Sequence, residues 1–126
     1  MIPKFRAWDK NTNDMVDVKT IDLEKDGSIG CIVDYNGINL DVSECILMQS
    51  TGLKDKNGVE IFEGDVLYYI PFESHINDSI VVFEKGSFCK KMLRNGKLTS
   101  VKFIDSEEYE VIGNIHENPE LLEGTE

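Results

Sequence analysis

The sequence predicts a mainly β protein with short helical turns only. Three observations carry this. Short runs of alternating apolar and polar residues recur along the chain, pairs with turn chemistry fall between them, and no amphipathic stretch is long enough for a core helix.

The alternating runs lie at 2–8, 15–21, 28–35, 38–42, 44–49, 66–70, 79–84, 87–93, 98–104 and 109–115. Asp26-Gly27, Asn36-Gly37, Asn57-Gly58, Gly64-Asp65, Lys85-Gly86 and Asn95-Gly96 separate many of them. Such pairs supply the positive-φ residues that tight hairpins need. Pro71 ends the run VLYYI, since proline cannot donate to a ladder, and 72–78 reads as a surface loop. Helix is confined to two single turns. One covers 105–108, with Asp105 or Ser106 as cap. The other is capped by Asn118, has Pro119 at its first position and is packed down by Leu121 and Leu122, with fraying expected from Glu123 to Glu126. Core candidates are Phe5, Trp8, Ile46, Leu53, Ile61, Phe62, Val66, Val82, Val111 and Ile115.

The 126 residues and 14.3 kDa suit one domain or two small subdomains. A boundary near Gln49 gives an N-terminal β subdomain, 1–48, and a C-terminal one, 49–126. No run approaches a membrane span, and the start lacks a signal peptide's apolar core, so a cytoplasmic protein is expected. Cys31, Cys45 and Cys89 are an odd number in apolar contexts without CxxC spacing, and read as buried, reduced thiols rather than disulfide or zinc partners.

Charge is the outlier. Thirteen basic against 24 acidic residues leave a net −11, which argues against a general polyanion-binding surface. Residues 85–104 nonetheless carry +6 with no acid, and 105–126 carry −8 with no base. The basic stretch holds Lys85, Lys90, Lys91, Arg94, Lys97 and Lys102. It reads first as a hairpin lying against the acidic tail. A sharper reading makes it a phosphate-tracking hairpin for a single strand, with Phe88 and Phe103 as stacking platforms. A third makes the acidic surface a mimic of nucleic acid that attracts basic proteins.

Catalytic signals are poor. His75 and His116 belong to no HExxH-type spacing, no GxSxG elbow nominates a serine, and the glycines open no phosphate-binding helix. Asp55, Glu60, Glu63 and Asp65 cluster around Asn57-Gly58 but lack calcium-loop alternation, so a solvated turn is expected. Glu107, Glu108 and Glu110 read as an exposed acidic face. No enzyme, cofactor or metal is implied.

Three separated motifs carry a resemblance. LMQSTGLKDKNGVEIFEGDV at 47–66, FRAWD at 5–9 and VIGNIHENPELL at 111–122 together resemble the YopX family of phage and prophage proteins, in the family's order. The resemblance implies a small β-rich protein without catalytic residues to transfer. It leaves 22–44 and 72–102 as the variable segments in which partner choice would lie.

The signature residues Thr51, Gly52, Asn57, Gly58, Gly64, Asp65, Gly113, Asn114 and Pro119 have structural readings. Thr51-Gly52 bends the chain, Asn57-Gly58 closes a hairpin, and Gly64-Asp65 launches the apolar strand at 66. That entry is similar to the start of many SH3-like barrels, with Gly113 bending a later strand for closure. The expectation is therefore an SH3-like C-terminal barrel, serving as a non-enzymatic interaction module with a protein partner, in a chain that forms a homo-oligomer through its strand edges.

Overall fold

Alternation builds the first unit. In the computed structural model, which describes residues 4–72 and 74–123, Phe5–Asp9 (β1), Asp14–Leu23 (β2), Ile29–Asp34 (β3) and Asn39–Asp41 (β4) form an antiparallel sheet. The first residues of Cys45–Lys54 (β5) complete it, in the order β4-β3-β2-β1-β5. Ala7 pairs with Val16 and Leu47, so these share a face, whereas Trp8 pairs with Met15 and Ile46 on the other. The core therefore gathers Ala7, Ile32, Leu40 and Cys45, with Val16, Val18, Ile21 and Leu47 against it. Two expected core residues are corrected by this parity: Ile46 is 37% exposed and Trp8 only half-buried.

Two of the hairpins share one device. Asp34 Oδ1 accepts the N–H groups of Asn36 and Ile38, each at 2.9 Å, while the backbone closes from Asp34 N to Ile38 O and from Gly37 N to Asp34 O. Asp55 repeats the pattern with Asn57, Val59 and Gly58. Both are the pentapeptide Asp-x-Asn-Gly-(Ile/Val), at 34–38 and 55–59. The aspartate does locally what a backbone acceptor would do, and glycine supplies the positive φ.

The chain divides into two compact units, Met1–Gln49 and Ser50–Glu126. In the second, Asp65–Tyr69 (β7), Ser79–Glu84 (β8), Ser87–Met92 (β9), Leu98–Ser100 (β10) and Tyr109–Asn114 (β11) form a five-stranded antiparallel sheet, ordered β10-β9-β8-β7-β11. A short strand that alternation did not reveal, Glu60–Phe62 (β6), pairs with the last residues of β5. Ile61, Leu67, Val81 and Tyr109 make the core, flanked by Leu53, Tyr69, Ile104 and Val111. Phe62 and Val66 are buried as expected, while Val82 and Ile115 are only partly so.

The sheet does not close on itself by hydrogen bonds among the described residues, so the SH3-like barrel is replaced by an open sheet with edges at β10 and β11. β10 is cut to three residues because Val101–Phe103 winds into a 3-10 turn, leaving no ladder to continue. The outer side of β11 is partly satisfied by the signature turn, through Lys56 N to Tyr109 O at 3.0 Å and Val111 N to Asp55 Oδ2 at 2.9 Å.

Gly64 turns at φ +90°, donating its N–H to Val81 O and accepting from Ile115 N. Gly113, at φ +155°, marks a register shift in the β7–β11 ladder. A Cβ there would strike the Asn118 amide and Leu121.

The short helices match expectation at Ser106–Glu108, where Asp105 Oδ1 accepts from Glu107 N. The tail helix is Glu120–Glu123, and the Asn118 side-chain oxygen accepts from Asn114 N. The expected fraying of residues 124–126, and the start of the first strand at Ile2, lie outside the described residues. The 72–78 loop contains one more 3-10 turn, His75–Asn77, and follows another at Ile70–Phe72.

Candidate interaction cleft

Ladder register decides where the basic stretch points. Lys90 is opposite Val81 and Thr99, so it shares the face of a residue only 1% exposed. Lys91 is opposite Ile80 and Leu98, on the other face. Lys85 sits in the β8–β9 turn at φ +53°, whereas Arg94 and Lys97 are exposed in the β9–β10 turn, at the far end of a strand roughly 20 Å long. Lys102 follows in the 3-10 turn, its Nζ 5.0 Å from the Phe103 ring centre. Phe88 packs edge-on against Phe83 at 5.0 Å, and Phe103 is 77% exposed. Lys90 and Lys91 thus fall on opposite faces, and Lys85 and Arg94 lie at opposite ends of β9.

Where Lys90 emerges, side chains from several elements surround a cleft of about 360 Å³. Tyr69 from the end of β7, Met92 from β9, Thr99 from β10, and Phe103 and Tyr109 from either side of the 105–108 turn form its walls. Asn77, Asp105 and Glu108 complete it. Tyr109 and Tyr69 are tilted rings 5.2 Å apart, and Tyr69 in turn meets Phe72 at 6.5 Å. Lys90 Nζ lies 5.5 Å from the Tyr109 ring centre, a cation–π contact.

Electrostatics single out this lysine. Burial, followed by the nearby Lys97 charge, holds the Lys90 ammonium below the ordinary lysine range. Among the described residues no carboxylate forms an ion pair with it. Burial also pushes the Tyr109 hydroxyl upward, with lesser contributions from Tyr69 and Glu108. Beside Asn77, the Asp78 carboxyl is raised by burial against the opposing hydrogen bond from His75, whose Nδ1 lies 2.8 Å from Oδ2. Asp78 Oδ1 is buried without a partner.

The signature residues act on the backbone. Thr51 Oγ1 donates to Ile61 O at 2.8 Å and accepts from Leu53 N. Asp65 Oδ2 accepts from Phe62 N at 2.8 Å, and Asn114 Oδ1 accepts from His116 and Glu117. Gly52 and Gly58 take positive φ, and Pro119 O accepts from Leu122 N. The solvated turn expected around Asp55 is corrected, since Asp55 is 4% and Asp65 1% exposed, each turned inward to N–H donors. Asp9, Asp34 and Asp78 are buried too, so five of the 24 acidic residues add nothing to an exposed acidic surface. Among the described residues no group of three His, Cys, Asp or Glu side chains could hold a metal. All three cysteines are free, Cys45 and Cys89 buried and Cys31 half-buried.

Sequence reasoning picked out Lys90 and Phe103 but missed Tyr69, Met92, Thr99, Asn77, Asp105, Glu108 and Tyr109 as their neighbours. The available signal was parity: Tyr69 and Tyr109 occupy core-facing positions at the ends of apolar strands, where a ring can reach both core and solvent.

A family model described as YopX protein matches residues 4–123. Among solved structures, the chain is similar to protein EF1440 from Enterococcus faecalis, at 34% identity and a TM-score of 0.75, covering 97% of this chain and 99% of that one. Its fold is also similar to that of protein yopX from Bacillus subtilis, at 21% identity and a TM-score of 0.65, over 94% and 96% of the two chains. A search of curated proteins finds no match.

Proposed function

The chain belongs to the YopX family, and we propose that it is a non-enzymatic interaction module, encoded by a phage or prophage, that binds a protein partner in the host cytoplasm. The observation that supports this reading is the aromatic cleft of the second unit. Phe103 and Phe72, 77% and 59% exposed, stand beside Tyr69 and Tyr109, and an exposed aromatic group of this kind is what a partner surface covers. The acidic balance of the chain favours a protein over a polyanion as that partner. No helix among the described residues is long and apolar enough to cross a membrane.

The test is affinity capture on the full chain from infected or induced cells, with and without nuclease. A protein retained in both arms and lost with Phe103→Ser supports the module. Retention of nucleic acid alone, or of nothing, removes it.

A further inference from the structure

We propose that the cleft between Tyr69, Lys90, Phe103 and Tyr109 receives a single carboxylate side chain from an extended segment of a partner protein, with Lys90 as its counter-ion. This rests on the interaction-module reading and specifies what the module recognises.

Lys90 is half-buried and has given up part of its hydration, and its Nζ lies 5.5 Å from the Tyr109 ring centre. The ring quadrupole offsets part of that loss, but an ammonium in partly desolvated surroundings gains most from an anion brought to it. Among the described residues no carboxylate pairs with Lys90, although Asp105 and Glu108 line the same cleft. An incoming carboxylate would supply that anion, and Thr99 and Asn77 offer polar groups at the same place.

The walls specify what surrounds the acid. Met92, Tyr69 and Tyr109 suit an aliphatic stem or a flanking apolar residue, and Phe103 can fold over it to exclude water. A cleft of about 360 Å³ is near the lower end of ligand pockets, enough for a side chain or two and too small for a folded element. Asp105 and Glu108 set the charge pattern. They repel any anion that Lys90 does not hold directly, which disfavours the successive phosphates of a single strand, and they attract a lysine or arginine next to the acid. The predicted ligand is thus an isolated Asp or Glu with an apolar neighbour on one side and a basic residue on the other.

The test is selection of a random peptide library, about seven residues long to match a short extended segment, on the immobilised full chain and on two variants. The wild type should enrich peptides with one acid, apolar and basic residues flanking it. Lys90→Arg should keep the acid, whereas Lys90→Met should lose it while retaining apolar residues, with about tenfold weaker binding of the wild-type winners. A consensus without an acid, the same acid selected by Lys90→Met, or no enrichment overturns the proposal. So does displacement of the selected peptides by oligothymidylate at physiological salt, which would assign the cleft to nucleic acid. A captured partner that binds Lys90→Met at full strength sinks the cleft and leaves the module standing, while capture of no protein sinks the module itself.

Discussion

One oxygen of the Asp55 carboxylate, Oδ2, accepts the backbone N–H of Val111 at 2.9 Å, across 56 residues of chain, while the other oxygen holds Asn57 and Val59. Asp55→Ala strands these donors in a site that is 4% exposed, and should destabilise by about 3 kcal/mol. Asp55→Asn keeps one acceptor oxygen but must turn an NH2 group toward an N–H donor, and should still cost about 2 kcal/mol. Urea midpoints measure both. Midpoints unchanged from wild type would reduce Asp55 to an ordinary turn residue.

At Gly64, φ is +90° and both backbone polar groups are engaged. A β-branched side chain is strained there, so Gly64→Val should destabilise by more than about 1 kcal/mol. The same midpoint assay decides it, and a wild-type value would mean that the turn relaxes freely.

The depressed lysine gives a pH signature. Because the folded-state Lys90 pKa lies below its ordinary 10.5, the unfolded chain binds the extra proton, and stability from this group rises with pH between those two values. The cost of holding the charge is complete at neutral pH. Lys90→Met should therefore raise the midpoint at pH 7, with its advantage narrowing as pH climbs toward 10.5. Equal midpoints at every pH would show that the ammonium is fully hydrated.

The basic stretch can be tested directly. If residues 85–102 track a single strand, anisotropy with a labelled oligonucleotide should weaken with salt at a slope of about −0.7 per phosphate, and neutralising Lys90, Lys91 and Arg94 should flatten it. With Lys90 and Lys91 on opposite faces, the expected result is no binding even at low salt. A steep slope abolished by the triple variant would revive the nucleic-acid reading.

Edge strands motivate the last prediction. β4 and β10 are edge strands among the described residues, and although each offers only three residues, their outer sides are where another copy can pair. Light scattering is expected to give a multiple of 14.3 kDa, and a monomer at all concentrations would dismiss assembly.

Most strands were legible because their alternation and turn residues agree, as at Ser79–Glu84 and Ser87–Met92 around Lys85-Gly86. β6 was not, since three residues are too few for a period. The end of β10 was not either, because Leu98–Ile104 alternates well but its second half closes locally, through Ile104 N to Val101 O. The cleft was half visible. Charge drew attention to 85–102, but only register separates Lys90 from Lys91, and register is a pairing property that one strand does not carry. The buried aspartates were misread as solvated because composition treats every carboxylate as surface, whereas Asp-x-Asn-Gly had already announced an acceptor for turn donors.

That pentapeptide also bears on the order in which the chain assembles. The loops at 34–38 and 55–59 close over four peptide bonds, a small entropic cost that can be met in microseconds, before any distant strand arrives. The contact from Asp55 to Val111 must wait for a far larger loop. One carboxylate thus makes an early bond with Oδ1 and a late one with Oδ2. Removing it should slow the forward rate through the first and hasten the reverse rate through the second.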